Sequence, residues 1–234
     1  MSYVEDLVAS PLVACTWEQV ATKRHEQRVV PDACVDLIWS SSERLTIAGP
    51  DTRARVTTLS PGSRLVGARL RPGAAGAVLG LPASELRDIS PDAAVVLGHE
   101  KASALLEELA AFREPRAPLL RALLLSGVRE PDPLVRAAIA ALGRPRVQVA
   151  SVAAELGVSA RQLQRRVSDA VGYGPKMLAR VLRFRRLQTL AHASLAELAL
   201  DAGYADQAHM TAEVTQLAGI SPVRFLKDRT PTAA

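Results

Sequence analysis

The sequence has only two cysteines, Cys15 and Cys34, a scarcity that excludes a disulfide framework and fits a reducing compartment. It has no run of about twenty apolar residues, which argues against a membrane-spanning helix. Its opening, MSYVEDLVAS, carries acids where a secretory leader carries bases, so a soluble cytoplasmic protein is expected. Closely paired metal ligands are missing too. Cys15, Cys34, His25 and His99 give no near pair of the kind that marks a zinc site, and neither a metal nor a cofactor is expected. RPGAAGAVLG is glycine-rich but lacks the Lys-Ser/Thr ending of a phosphate loop. Asp32 follows Pro31 in a turn while Asp36 sits mid-strand, so the two make no persuasive catalytic pair. No catalytic residue is assigned.

What is present is a chain of 234 residues, 48% hydrophobic, with room for two modest domains. The net charge of +5 is unevenly spread. Up to Gly143 there are sixteen Lys and Arg against seventeen Asp and Glu; from Arg144 onward there are thirteen against seven. Positive charge gathered in one part suits a polyanionic partner, whose phosphates supply the sequence-independent share of affinity.

That basic part contains a repeat. GVSARQLQRRVSDAVGYGP at 157–175 returns in degraded form as GYADQAHMTAEVTQLAGISP at 203–222. Laying Gly157 on Gly203, with one extra residue in the second turn, brings Ser159 onto Asp206 and Leu163 onto Met210. Val167 then meets Val214, Gly172 meets Gly219 and Pro175 meets Pro222. Each copy has the parts of a helix-turn-helix: a short apolar helix, a glycine turn, a Ser or Asp able to cap a second helix, and inward residues four apart along it. Helix one of the first copy, about 149–156, packs through Val152, Ala153 and Leu156. In its second helix Leu163 and Val167 point inward, leaving Arg161, Gln164, Arg165 and Ser168 on other faces. Residues 175–191 read as a long helix of roughly 25 Å, a rigid spacer able to hold two readers on successive major grooves. Arg180, Arg183, Arg185 and Arg186 lie along it.

Ahead of this, residues up to about Arg71 read as short strands and turns, a small antiparallel sheet or partial barrel. In VPDACVDLIWS, Val35, Leu37 and Trp39 alternate with Cys34, Asp36 and Ile38; RLTIAG, RVTTL and RLVGARLRPG follow as further strands. From Pro72 the pattern turns helical, with short segments after Pro72 and Pro82 and longer ones over 100–112 and 118–125. A linker around Pro131 and Pro133 leads into an amphipathic helix ending at Gly143. The fold class expected is therefore an α+β domain over 1–130, then an all-α domain over 131–234 with two helix-turn-helix units joined by a long helix.

The GYADQAHMTAEVTQLAGISP stretch, taken with its earlier copy, resembles the signature of the AraC/XylS family of bacterial transcription regulators, over about 132–228. The resemblance implies seven helices, with the long one joining two subdomains that each place a helix in the major groove. Its base-reading positions fall on Arg161, Gln164 and Arg165 in the first copy and on Gln207, Ala208, His209 and Ala212 in the second. Arg can pair bidentately with guanine and Gln with adenine, so the first copy is better equipped. The second departs from the family pattern. Ala212 stands where a basic residue is common, Met210 and Val214 where aromatics are, and Thr215 and Gln216 where basic residues are frequent. The expected DNA-contacting set is Arg161, Gln164, Arg165, Gln207, His209, Thr211, Arg180, Arg183 and Arg186, with the first copy carrying most specificity.

PDACVDLIW, AGPDTRA and GARLRPGAAGAVLG are similar to the poorly characterised domain that precedes this module in some regulators, which suggests sensing or dimerising. A ligand pocket would involve Cys34, Asp36, Trp39 and Arg69, with Arg69 the expected partner of Asp36. Cys34 reads as either a redox sensor or an inert buried thiol. The expected partner is double-stranded DNA; a small-molecule effector, RNA polymerase and a second copy of the chain are compatible, and activation or repression is left open. Two alternatives stand beside this reading, a DNA-targeted enzyme with an N-terminal catalytic domain and a ligand-independent dimerising protein.

Overall fold

Alternation of apolar and polar residues through the first seventy positions builds seven strands, all paired antiparallel. They are β1 (Ser2–Leu7), β2 (Val13–Val20), β3 (His25–Val29), β4 (Val35–Ser40), β5 (Arg44–Ala48), β6 (Arg55–Leu59) and β7 (Arg64–Leu70). The computed structural model describes residues 2–111, 114–126, 129–190 and 194–228. Five strands form one sheet in the order β1-β2-β7-β4-β5, and β3 pairs with β6 as a separate ribbon. Three of these strands, β1 to β3, lie ahead of residue 31, where no individual strand is expected from the sequence. The strands expected from RLTIAG, RVTTL and RLVGARL are β5, β6 and β7.

The strand period of two divides the five-stranded sheet into two faces. Val35, Leu37, Leu45, Ile47, Val66, Ala68 and Leu70 point to one side and join a core with residues of four helices. These are α1 (Ala75–Leu79), α2 (Ala93–Leu97), α3 (His99–Ala111) and α4 (Arg116–Ser126), with a single 3-10 turn at Ala83–Leu86. Helix α2, which the sequence reading passes over, is capped by Asp92, whose Oδ1 accepts from Ala94 N at 2.9 Å. The opposite face carries Trp17, Gly67, Ile38 and Thr46 in one row and Arg69, Asp36 and Ala48 in the next. It looks toward the ribbon.

In the C-terminal part every regular element among the described residues is a helix: α5 (Pro133–Leu142), α6 (Val149–Glu155), α7 (Ala160–Val171), α8 (Pro175–Thr189), α9 (Leu195–Ala202), α10 (Gln207–Ala218) and α11 (Pro222–Lys227). The spacer α8 spans 15 residues, about 22 Å at the usual rise; the end expected at Ala191 lies outside the described residues. Val135, Leu142, Val152, Leu163, Val167, Leu178 and Val181 make one core, and Phe184, Leu187, Leu198, Tyr204, Met210, Val214, Leu217 and Phe225 make another. The spacer supplies residues to both.

The β3–β4 loop, residues 30–34, reaches across to this helical part. Val30 belongs to the second of these cores and Ala33 to the first, Ala33 at a φ of 68°. Three hydrogen bonds reinforce the contact: Arg28 Nη1 to Ala218 O (2.9 Å), Ala54 N to Leu217 O (2.7 Å) and Arg185 Nη1 to Asp32 O (3.1 Å). Gly172, at a φ of 95°, brings the end of α7 against Pro50 and Ala83, where a Cβ would meet the Pro50 ring.

Candidate nucleic-acid interface and N-terminal cavity

Both helix-turn-helix units are built by the same local chemistry. Gly157 and Gly203 take positive φ in the turns, at 66° and 94°, and Gly172 and Gly219 end the second helices at 95° and 72°. Ser159 caps α7 by accepting from Gln162 N at 3.2 Å, and Asp206 caps α10 by accepting from His209 N at 2.7 Å. Pro175 and Pro222 start the helices that follow, in positions where a missing N–H costs nothing.

The side chain three residues past each cap folds back onto the helix start. Gln162 Oε1 accepts from Ser159 N at 2.9 Å, closing a capping box. His209, the equivalent residue of the second copy, accepts from Ala205 N through Nδ1 at 3.3 Å. Its Nε2 lies 3.8 Å from Glu213 Oε2, and its ring meets Tyr204 edge-on at 5.4 Å between centroids. His209 is thus engaged within its own subdomain.

Arg161, Gln164 and Arg165 are exposed on α7, whose inner residues Leu163 and Val167 are fully buried. Gln164 donates to Ser168 Oγ at 3.1 Å and lies over Gly174, where a Cβ would collide with it. On α10, Gln207, Ala208, His209, Thr211, Ala212, Thr215 and Gln216 are exposed. The outer face of α7 therefore carries arginines, and that of α10 has neither arginine nor lysine.

The spacer arginines have internal partners. Glu213 is 7% exposed, on the inward face of α10 beside Met210 and Val214, and two guanidiniums reach it from α8. Arg180 Nε and Arg183 Nε each lie 3.1 Å from its carboxylate. Arg180 Nη2 also donates to Gln216 Oε1 at 2.5 Å, and Arg183 stacks on Tyr204 with its guanidinium 5.0 Å from the ring centre. Arg186 Nη2 donates to Gly143 O at 2.7 Å. Arg180, Arg183 and Arg186, expected at DNA from the sequence, thus have protein partners in the fold; an acid at helical spacing with Met210, Val214 and Leu217 is the sequence signal for Glu213, since a buried carboxylate needs a cationic partner.

In the N-terminal domain, the open sheet face and the β3–β6 ribbon enclose a cavity of about 530 Å³. Trp17, Ile38, Val29 and Leu59 supply apolar wall; Gln19, Thr46, Thr57, Arg55 and Arg64 supply polar groups. The ribbon is tied down by Gln19 Nε2 donating to Gln27 Oε1 at 2.8 Å between two buried side chains. Gly67 lets the Trp17 indole lie flat on β7, where any Cβ would collide with the ring. The indole Nε1–H can then reach Asp36 Oδ1 at 3.1 Å.

Asp36 and Arg69, cross-strand neighbours, both line this cavity and pair through Arg69 Nε to Asp36 Oδ1 at 3.0 Å and Arg69 Nη2 to Asp36 Oδ2 at 3.1 Å. Burial pushes the Asp36 carboxyl up, and the Arg69 guanidinium opposes that shift. The other two residues expected with them lie elsewhere. Trp39 points to the helix-covered side and packs on that core. Cys34 is buried in the loop, its thiol 3.6 Å from Asp32 O, and burial followed by the nearby Asp32 charge pushes the thiol well up. That suppresses the thiolate a redox sensor requires.

Residues 152–228, from within α6 to just past α11, match the family described as a helix-turn-helix domain. Residues 8–92, which include β2 to β7, match a domain of unknown function (DUF6597). No curated protein sequence matches the chain. Among solved structures, it is similar to the C-terminal domain of AraT, a response regulator from Geobacillus stearothermophilus, at 23% identity and a TM-score of 0.40, covering 43% of this chain and 89% of that one. It is similar to ToxT from Vibrio cholerae at 11% identity and a TM-score of 0.47, over 97% of this chain and 98% of that one. A ToxT structure holding an unsaturated fatty acid is similar at 9% identity and a TM-score of 0.46, over 99% and 97%. No helix among the described residues is long and apolar enough to cross a membrane.

Proposed function

We propose that the protein, a DNA-binding transcription regulator of the AraC/XylS type, reads an unsymmetrical duplex site chiefly through α7 and answers to a small organic effector held in the N-terminal cavity. The observation that carries the reading is the contrast between the two outer faces. Arg161 and Arg165 stand exposed on α7 on either side of Gln164, which is held by Ser168, whereas α10 has no arginine or lysine and offers Gln207 and Thr211 among alanines, with His209 turned back onto its own helix start. Base-edge recognition needs long donors and acceptors free to reach into the major groove. The second unit then acts mainly as a clamp, and Arg180, Arg183 and Arg186 hold the two subdomains to their spacer in place of contacting phosphate.

The chain divides on this reading into a regulatory part, 1–130, and a DNA-binding part, 131–234. A cavity of this size, mostly apolar in its walls with a few converging polar groups, suits an effector of modest size. A cytoplasmic place, RNA polymerase at the promoter and a second copy of the chain belong to the same proposal. Selecting DNA from a random pool with the full chain tests it: a defined sequence, bound at least 1,000-fold more tightly than scrambled duplex, is expected. Equal affinity for both duplexes would refute it.

A further inference from the structure

Arg69 is shared between the cavity and the loop that grips the reading domain. It lines the cavity and pairs with Asp36 at hydrogen-bonding distance, yet its Nε also lies 3.6 Å from Asp32 Oδ2 in the β3–β4 loop. Asp32 is in turn the pivot of that loop. Its Oδ1 accepts from Cys34 N at 2.9 Å, and its carbonyl accepts from Arg185 of the spacer helix at 3.1 Å. On either side of it, Val30 enters the core of the second helix-turn-helix and Ala33 enters the core of the first. An unbroken path of charge and packing thus runs from the cavity through Arg69 and Asp32 to both readers.

We propose that Arg69 is the relay of this regulator: an occupant of the cavity bearing a hydrogen-bond acceptor draws the guanidinium from Asp32, loosens residues 30–34 and so changes how the two reading helices are held. This rests on the cavity being the effector site. The Asp32 contact is the one that yields, because at 3.6 Å it lies beyond hydrogen-bonding range while the Asp36 pair is bidentate. The occupant is accordingly a small organic molecule with a carboxylate, carbonyl or phosphate oxygen placed to meet Arg69.

Coupling between two sites is reciprocal, and because the path through Asp32 and Arg69 is the element both sites act on, DNA binding should shift the surroundings of Arg69 even with no effector present. The chain has two tryptophans, Trp17 in the cavity wall and Trp39 on the far side of the sheet. In the full chain labelled with 5-fluorotryptophan, saturation with the selected DNA is expected to move the Trp17 fluorine resonance and leave that of Trp39 in place, with a Trp39→Phe variant assigning the signals. Asp32→Asn keeps the acceptor for Cys34 N but loses the charge facing Arg69. It should abolish the Trp17 movement and change DNA affinity about fivefold or more. Arg185→Gln cuts the same path at the helix and should do likewise, whereas Glu108→Gln, which breaks an ion pair with Arg121 elsewhere, should alter neither readout. A Trp17 resonance that stays put while DNA is bound, or that moves equally in Asp32→Asn, would overturn the relay and leave the DNA-binding reading intact. Failure to select any DNA would overturn that reading and the relay with it.

Discussion

Replacing Glu213 by Ala should detach the second helix-turn-helix from its spacer. In the native protein this one buried carboxylate holds Arg180 and Arg183 at 3.1 Å each and faces His209 at 3.8 Å, while Arg183 also covers the ring of Tyr204. Removing one partner of a fully buried ion pair costs ~3–5 kcal/mol. Here the two arginine side chains keep 28% and 23% of their exposure, so water recovers part of the loss, and a destabilisation of roughly 2–3 kcal/mol is expected. The damage should be local, because α5, α6 and α7 draw on a separate core. Amide hydrogen exchange in α9 and α10 should accelerate by roughly 30- to 150-fold while α7 changes little. A loss below about 1 kcal/mol in urea unfolding, or equal acceleration in α7 and α10, would refute the argument. The same geometry makes a statement about DNA: if Arg180 and Arg183 are occupied by Glu213, the Arg180→Ala protein keeps the native salt dependence of DNA binding, whereas a lost phosphate contact would lower that slope by about one.

Two further outcomes concern the N-terminal domain. Burial raises the Asp51 carboxyl to about 6 despite the Arg55 guanidinium, whose Nε lies 3.0 Å from Oδ2. Its contribution is thus fully present below the unfolded value near 3.8 and is lost as pH rises through about 6. Asp51→Asn should therefore be more stable than the native protein at pH 7.5 and lose that advantage by pH 4, as thermal melts at the two values would show; an advantage independent of pH would contradict the assignment. Gly67→Ala places a methyl against the Trp17 ring and should cost ~1–3 kcal/mol, with a red-shifted tryptophan emission as the indole leaves Asp36. Unchanged emission would show that the indole does not depend on Gly67.

The helix-turn-helix pair was legible because its signals are local. A cap, a glycine at positive φ and inward residues four apart each specify structure within a few positions, so Ser159, Asp206, Gly157, Gly203, Gly172 and Gly219 mark the repeat in one dimension. The destinations of long side chains are not local. Arg180 and Arg183 lie on a helix in any reading, but only the fold shows that they end on a carboxylate thirty-three and thirty residues further along. His209 is a similar case, since its place three residues past the cap turns it back toward the helix start. The alternation in β4 separates Asp36 from Trp39 correctly, yet the cavity depends on the register of β2, β7 and β4, which brings Trp17 to Asp36 across Gly67. The sequence of the β3–β4 loop gives no hint that Val30 and Ala33 enter two different helical cores.

The central claim is that α7 is the principal reader, and Arg165→Ala set against His209→Ala tests it most directly. Affinity for the selected DNA is expected to fall by roughly 1–3 kcal/mol in Arg165→Ala, with relaxed preference at the base pair it contacts. His209→Ala should lose less and keep its sequence preference. A larger loss in His209→Ala, or native affinity in Arg165→Ala, would contradict the account.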